Sequence, residues 1–273
     1  MSTLLQFGAT FQQFNVKAMI LTQSKQPVFI NEDGCSLLYD SELLDNPIST
    51  FLQHDIFNQA LSCQQITQSG RGQAWFIELT GLSTVLRSYQ RGGLVAKFNR
   101  QTYIGWSAKG SRAYKEWRLL SHLSKLSLPV PRPIAASFCR VLFAIVPIYR
   151  ARILLQRIPN VQTFDYLLST TALENTVWQS VGTCIRRFHQ QGVYHADLNA
   201  NNILLDDQQI VYLIDFDKGE IRKEKQQQAQ WKQDNLQRLK RSLLKQQALR
   251  DQYAFSEENW GSLVDAYNGA ADS

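Results

Sequence analysis

Short apolar runs bounded by turn residues recur through the first part of the chain, and this pattern predicts β-strands. Glycine-containing turns lie at 31–34 and 80–83, and the second of them predicts a β-hairpin. A mixed stretch at 41–65 has helical character. The predicted strands cover residues 27–30, 74–79, 84–89, 141–148 and 152–158.

Apolar residues return at helical spacing later in the chain. Residues 112–126 form the first predicted helix, and the proline-rich segment 129–133 ends it because proline lacks a backbone N–H donor. A second helix opens at Thr163, and a longer one covers 173–191 with Gly192 as its stop. Beyond Glu220 the chain is basic, and an amphipathic helix is predicted from Trp231, Leu236, Leu239, Leu243 and Leu244.

Composition narrows the class of protein. A chain of 273 residues with an ordinary apolar fraction can bury the core of one large domain or two lobes. The formal charge of +6 favours an acidic partner, such as nucleotide phosphates, an anionic lipid surface or nucleic acid. The chain shows no signal peptide and no run of roughly 18 apolar residues, so we expect a cytoplasmic protein.

The cysteines have no metal-ligand spacing and suggest neither a zinc site nor a disulfide framework. We therefore expect reduced, buried thiols. The four cysteines are Cys35, Cys63, Cys139 and Cys184.

One segment has the pattern of a kinase catalytic loop. The motif H-R-D-x-x-x-x-N is met by His195, Asp197 and Asn202, with alanine in place of the arginine. The sequence D-F-D follows at 215–217, in the place of the kinase D-F-G motif. Two apolar runs within 203–214 predict a β-hairpin that holds the two polar clusters at neighbouring strand ends.

Phosphoryl transfer from ATP needs a group that orients the hydroxyl nucleophile and oxygen ligands for Mg²⁺. Asp197 fits the first role, and Asn202 and Asp215 fit the second because Mg²⁺ prefers hard oxygen donors. His195 is the further catalytic-loop candidate, expected to fix the loop by hydrogen bonding. The alternative is that these residues only cap turns, but the ordered occurrence of loop, hairpin and D-F-D favours a kinase.

A glycine-containing turn is a candidate phosphate contact. Gly70, Arg71 and Gly72 lead directly into a predicted strand. Backbone N–H groups of such a turn can approach phosphates closely because glycine has no Cβ. A plain hairpin or bulge is the alternative interpretation.

A kinase also needs a strand cation that holds nucleotide phosphates and pairs with a helix glutamate. Arg87 lies in the strand that follows the glycine hairpin, whereas Lys97 better matches the V-A-I-K motif of protein kinases. Strand order favours Arg87, although arginine and lysine are not equivalent phosphate ligands. Glu116 is the expected partner of the cation.

Strands followed by helices, together with the catalytic motif, predict an α+β, protein-kinase-like bilobal fold. The N-terminal lobe (1–158) combines an extension of unclear role (1–68) with a nucleotide-binding antiparallel sheet and one main helix (69–158). The mainly helical C-terminal catalytic lobe covers 159–273. Residues 159–162 are the predicted linker, and ATP would bind in the cleft between the lobes.

These motifs, together with the segments 91–96 and 116–120, resemble the Kdo kinase family. The resemblance covers about residues 70–222. It implies ATP-dependent phosphorylation of the 4-hydroxyl of 3-deoxy-D-manno-octulosonic acid (Kdo) in Kdo-lipid A, a lipopolysaccharide precursor. It also implies peripheral association with the cytoplasmic face of the bacterial inner membrane. No nucleic-acid partner is expected.

Two positions depart from the protein-kinase pattern. Asn199 stands where protein kinases place a lysine near the transferred phosphate, so it is a candidate nucleotide contact, and Asp217 replaces the D-F-G glycine. The absence of an A-P-E motif favours a small or lipid-linked alcohol acceptor over a protein. Alternatives are a kinase for heptose or an amino-alcohol, and a nucleotide-binding pseudokinase. The basic helix beyond Glu220 is a candidate contact for the anionic membrane or acceptor, and the favoured alternative is that it only packs its leucines on a core and leaves its cations in solvent.

Overall fold

A computed structural model of the chain shows an antiparallel sheet followed by a largely helical region, as predicted. The structure describes residues 27–32, 34–44, 65–66, 73–79, 81–89, 103–104, 108–143, 146–222 and 230–269. The described strands of the first region are β1 (Val28–Glu32), β2 (Cys35–Tyr39), β3 (Gln65–Ile66), β4 (Gln73–Leu79), β5 (Leu82–Ser88), β6 (Tyr103–Ile104), β7 (Pro133–Phe143) and β8 (Val146–Gln156).

These strands form one sheet in the order β1-β2-β7-β8-β5-β4-β3, with β6 beside β8. Every pair is antiparallel. Strand β5 lies between β4 and β8, and its successive side chains point to opposite faces. Leu86 packs in a buried cluster with Trp75 and Leu154, whereas Arg87 points to the opposite face.

Helix α1 (Arg112–Lys125) lies against β7 and β8. It begins where the Ser111 side chain accepts a hydrogen bond from the Tyr114 N–H at 3.3 Å, which is an N-cap contact. Trp117, Leu120 and Leu123 form its buried stripe, as their spacing predicted. The helix ends at Lys125, one residue before the predicted end at residue 126.

The second region contains short strands and four described α-helices. Strands β9, β11 and β12 form a small sheet in the order β12-β11-β9, and β10 pairs with β13. The bounds are β9 (Val161–Thr163), α2 (Phe164–Thr170), α3 (Asn175–Gln190), β10 (Val193–Tyr194), β11 (Ile203–Asp206), β12 (Val211–Leu213), β13 (Glu220–Ile221), α4 (Gln230–Leu249) and α5 (Glu257–Asn268).

Helices α3 and α5 approach each other closely at Gly182. A Cβ at this position would lie 2.1 Å from the backbone oxygen of Leu263, so only glycine allows the helices to pack at this distance. Around this contact one hydrophobic core runs from Trp117 of α1 to Trp178 and Phe188 of α3. The core thus joins the helix on the sheet to the helical region.

Helix α4 buries its apolar stripe and is anchored at its C-terminal end. Arg250 donates to the buried Asp165 carboxylate at 2.6 Å, and the Tyr253 hydroxyl donates to the same carboxylate at 3.1 Å. The stripe predicted for this helix is buried except at Leu244, which is 43% exposed. These contacts fix α4 against the rest of the helical region.

The prediction of reduced thiols is wrong for one pair of cysteines. Cys35 and Cys139 form a disulfide between β2 and β7, where they are direct register partners. They are 104 residues apart in the sequence, so spacing along the chain could not reveal the pairing. Cys184 is free and buried as predicted, and Cys63 lies outside the described residues.

Several predicted boundaries in the first region are also wrong. Strand β7 begins at Pro133, which the sequence pattern assigned to a helix-breaking segment, because proline is tolerated at the first residue of a strand. The strand predicted at 141–148 therefore spans the end of β7 and the start of β8. In the stretch 41–65, residues 41–43 form a turn and Gln65 starts β3, while 45–64 lie outside the described residues.

Among the described helices, none is long and apolar enough to span a lipid bilayer. The small sheet begins with β9 directly after residue 160, so part of the predicted linker 159–162 is a strand. The division into lobes at residue 159 stays a prediction.

Candidate active site

The predicted catalytic loop lies between β10 and β11 and contains a short 3₁₀ helix at Ala200–Asn202. Asn199 caps this helix, since its Oδ1 accepts the N–H groups of Asn201 at 2.9 Å and Asn202 at 3.2 Å. Its Nδ2 donates to the Asp197 carbonyl at 3.1 Å. Asn199 therefore shapes the loop, and its contact with nucleotide stays a prediction.

Asn202 is buried and binds the loop through one end of its amide. Nδ2 donates to the Asp197 carbonyl at 2.8 Å, while Oδ1 accepts no hydrogen bond from any described residue. Its backbone carbonyl accepts the Ile214 N–H at 3.0 Å, which ties the loop to the end of β12 just before Asp215. One amide oxygen thus remains available for a ligand.

His195 is buried and bonds to backbone through both ring nitrogens. Nε2–H donates to the Ile214 carbonyl at 2.9 Å, and Nδ1 accepts the Asp197 N–H at 3.2 Å. Burial lowers the pKa of His195, so the ring is neutral, and these partners require the Nε2–H tautomer. The bonds support the expected loop-fixing role.

Asp197 is the exposed member of the loop. Its side chain is 63% exposed, and Nη1 of Arg238 in α4 lies 3.7 Å from its Oδ1. The carboxylate is therefore accessible to an incoming hydroxyl group.

Arg87 bridges two carboxylates, and its contact with nucleotide phosphates stays a prediction. Nη1 donates to Glu116 at 2.9 Å, and Nη2 donates to Asp215 at 2.6 Å. Burial opposes the positive charge, but the two carboxylates outweigh this effect and raise the pKa of the guanidinium. The Tyr89 hydroxyl donates to the other oxygen of the buried Glu116. The predicted ion pair with Glu116 is confirmed.

The D-F-D turn carries Asp215 in the left-handed backbone region, with φ of 65°. Phe216 is buried and stacks on Phe188 of α3 at 5.7 Å between ring centroids, which fixes the turn to the core. Asp217 accepts a hydrogen bond from Nε of Arg112, the first residue of α1, at 2.7 Å. Asp217 thus joins the turn to α1.

Asn235 of α4 is a site residue that the sequence did not single out. Its side chain accepts the His195 N–H at 3.2 Å and donates to the His195 carbonyl at 2.9 Å. Its Oδ1 also contacts Nε2 of the buried His189 at 3.3 Å, and Nδ1 of His189 contacts the Tyr267 hydroxyl at 2.8 Å. The sequence feature that could have indicated Asn235 is its position as a polar residue between Trp231 and Leu239, which belong to the apolar stripe of the helix.

Four predicted nucleotide contacts, Gly70, Arg71, Gly72 and Lys97, lie outside the described residues. In the part of the chain that the structure describes, no group of three or more His, Cys, Asp or Glu side chains could hold a metal ion.

An antiparallel sheet with a cation–glutamate pair, followed by a helical region that presents an H-x-D-x-x-x-x-N loop and a second aspartate, defines a protein-kinase-like phosphotransferase. The model of the lipopolysaccharide kinase (Kdo/WaaP) family matches residues 60–267. The chain belongs to this family.

Three relatives bear the name 3-deoxy-D-manno-octulosonic acid kinase. The protein of Mannheimia succiniciproducens is 43% identical over 209 residues, which cover 72% of this chain and 82% of the relative. That of Xylella fastidiosa is 42% identical over 180 residues, 66% of this chain and 69% of the relative. The protein of Actinobacillus succinogenes is 40% identical over 208 residues, which cover 74% of this chain and 83% of the relative.

Proposed function

We propose that this chain is an ATP-dependent kinase that phosphorylates the 4-hydroxyl of Kdo in Kdo-lipid A. The observation that carries the proposal is the selective exposure of Asp197. The side chains of His195, Asn199 and Asn202 bond backbone groups of the loop, whereas Asp197 is 63% exposed. The names of the relatives support the choice of acceptor.

Asp197 would orient the acceptor hydroxyl and take its proton. The bond between the acceptor oxygen and the terminal phosphorus of ATP forms as the bond from that phosphorus to the leaving ADP breaks. The proton of the hydroxyl passes to the Asp197 carboxylate. Arg87 would bind phosphate oxygens, held in place by Glu116. His195 and Asn235 would keep Asp197 in position through the loop backbone.

Asn202 and Asp215 would hold Mg²⁺. Oδ1 of Asn202 is left available by the bond that Nδ2 makes, and Arg87 bonds only one oxygen of Asp215. Two protein oxygens suit Mg²⁺, which takes its other ligands from phosphates and water. When bound, Mg²⁺ would neutralise charge on the transferring phosphoryl group.

A different core sugar, such as heptose, is the second candidate acceptor, because the matched family is described as lipopolysaccharide kinases and not as Kdo kinases alone. A nucleotide-binding pseudokinase is the candidate from another class. The intact set of Asp197, Asn202 and Asp215 weighs against it.

Labelled ATP, Mg²⁺ and Kdo-lipid A, incubated with the purified protein, test the proposal. We expect phosphate on the Kdo 4-hydroxyl with the wild type, located by NMR of the product, and a loss of at least about 100-fold in rate with Asp197→Ala. Asp207→Ala is the matched control, because Asp207 is an exposed hairpin carboxylate outside the site.

Other outcomes would favour a different acceptor, a different class of protein or a different catalytic residue. Transfer to a heptose-containing core but not to Kdo would replace the proposed acceptor. Binding of nucleotide without any transfer would favour the pseudokinase. Equal rates for wild type and Asp197→Ala would remove Asp197 from the mechanism.

We also propose that the protein works on the cytoplasmic face of the inner membrane as a peripheral protein. Its formal charge of +6 suits an anionic surface, and the proposed acceptor is a lipid.

A further inference from the structure

Helix α4 meets the catalytic loop through successive turns. Asn235 bonds the backbone of His195, and the Ser242 hydroxyl accepts the Ala200 N–H at 3.3 Å. Arg238 lies three residues after Asn235 and four before Ser242, so all three side chains share one face of the helix. This register places Arg238 beside Asp197, midway between the two anchoring contacts.

The contact between Arg238 and Asp197 leaves both groups open to a ligand. The distance of 3.7 Å from Nη1 to Oδ1 is longer than a hydrogen bond, and the side chains are 44% and 63% exposed. The Arg238 guanidinium donates no hydrogen bond to any described residue. An exposed ion pair of this kind contributes little to stability. As far as the described residues show, the donors of Arg238 therefore remain available.

Among the residues that the structure describes, the two other arginines near the loop already bond carboxylates of the protein. Arg87 bonds Glu116 and Asp215, and Arg112 bonds Asp217. An anionic acceptor that approaches Asp197 would meet the repulsion of the site's carboxylates, and within the described part of the chain Arg238 lies where it can offset that repulsion.

We propose that Arg238 binds the carboxylate of the acceptor sugar acid while Asp197 engages its hydroxyl group. The inference rests on the proposed function, because Kdo carries its carboxylate on the same sugar unit as the 4-hydroxyl. A planar guanidinium can bind a carboxylate through two parallel hydrogen bonds. A neutral sugar such as heptose offers no such partner, so Arg238 selects the acid sugar.

Two acceptors and three variants test this assignment. The acceptors are Kdo-lipid A and the same molecule with the Kdo carboxylate converted to its methyl ester, which leaves the lipid A phosphates in place. The variants are Arg238→Ala, Arg238→Lys and Arg241→Ala. Arg241 is the matched control, since it is an exposed arginine on the same helix that makes no hydrogen bond or ion pair with the described residues of the loop.

We expect the wild type to prefer the free acid by about 10- to 100-fold in kcat/KM, the range for a hydrogen bond to a charged group. Arg238→Ala should use both acceptors equally, with the KM for ATP changed by less than about twofold. Arg238→Lys should keep part of the preference because it keeps the charge but loses the paired geometry. Arg241→Ala should behave as the wild type.

A wild type that phosphorylates both acceptors equally would overturn the inference and leave the proposed function standing. A preference for the free acid that persists in Arg238→Ala would also overturn it, even if that variant is slower, since Arg238 would then serve Asp197 or a lipid A phosphate. A wild type that phosphorylates neither acceptor would overturn the proposed function, and the inference with it.

Discussion

Single side chains in this site are held by more than one partner, and Arg87 is the clearest case. It is less than one-quarter exposed and lies between the buried Glu116 and Asp215, 2.9 Å and 2.6 Å away. Removal of one member of a buried ion pair leaves the other charged and unpaired. Arg87 therefore has a structural part in addition to the phosphate contact proposed for it.

Arg87→Ala should lower the free energy of unfolding by about 2–3 kcal/mol, because Glu116 loses its cation. It should also raise the KM for ATP, since the proposed phosphate contact is lost. Urea denaturation and steady-state kinetics measure the two effects, and Arg87→Lys should recover part of each.

The corresponding Lys97→Ala variant is the comparison. If Lys97→Ala raises the KM for ATP and Arg87→Ala changes only stability, Lys97 is the nucleotide cation. The strand-order argument for Arg87 would then be wrong.

At the scale of secondary-structure elements, helix α4 holds the catalytic loop through Asn235, which also connects the loop to the buried His189. Burial lowers the pKa of His189 from 6.5 to about 4. The folded protein therefore favours the neutral ring. The contribution of His189 to the free energy of unfolding is present in full above pH 6.5. Protonation of the unfolded chain removes that contribution as the pH falls from 6.5 toward 4.

We expect His189→Gln to flatten the pH dependence of unfolding over this interval. The wild type should lose about 3 kcal/mol from this group between the two pH limits, and the variant should lose much less. Urea midpoints at several pH values measure the difference. His122→Gln is the matched control, because His122 is an exposed helix residue. An unchanged slope in His189→Gln would mean that His189 does not carry the effect.

Elements with local signals were predictable from the sequence, whereas contacts that join distant segments were not. The apolar spacing around Trp117 fixed α1, and the order of motifs indicated Asp197, Asn202 and Asp215. The amphipathic pattern of α4 identifies its buried face but cannot say that Asn235 meets a loop 40 residues earlier. Strand β7 was misplaced because a proline can either break a helix or open a strand.

At the scale of the whole molecule, charge sets the expected partner. The formal charge is +6, and Lys245 lies exposed on the solvent side of α4. Interactions of exposed charges with an anionic lipid surface weaken as salt shortens the screening length.

The protein should sediment with vesicles that contain phosphatidylglycerol at about 0.05 M salt and be released at about 0.5 M, because screening then acts within a few ångströms. Vesicles of phosphatidylcholine alone are the control and should bind little protein. Equal binding to both kinds of vesicle would contradict an electrostatic attachment.

The two attachments of α1 to the D-F-D turn have a geometric consequence. Arg112 bonds Asp217 directly, and Glu116, one turn further along the helix, reaches Asp215 through Arg87. Two points fixed one turn apart prevent the helix from either rotating about its axis or sliding along it without breaking an ion pair. The position of α1 and the conformation of the D-F-D turn are therefore coupled. Neither can change unless the other moves with it or an ion pair breaks.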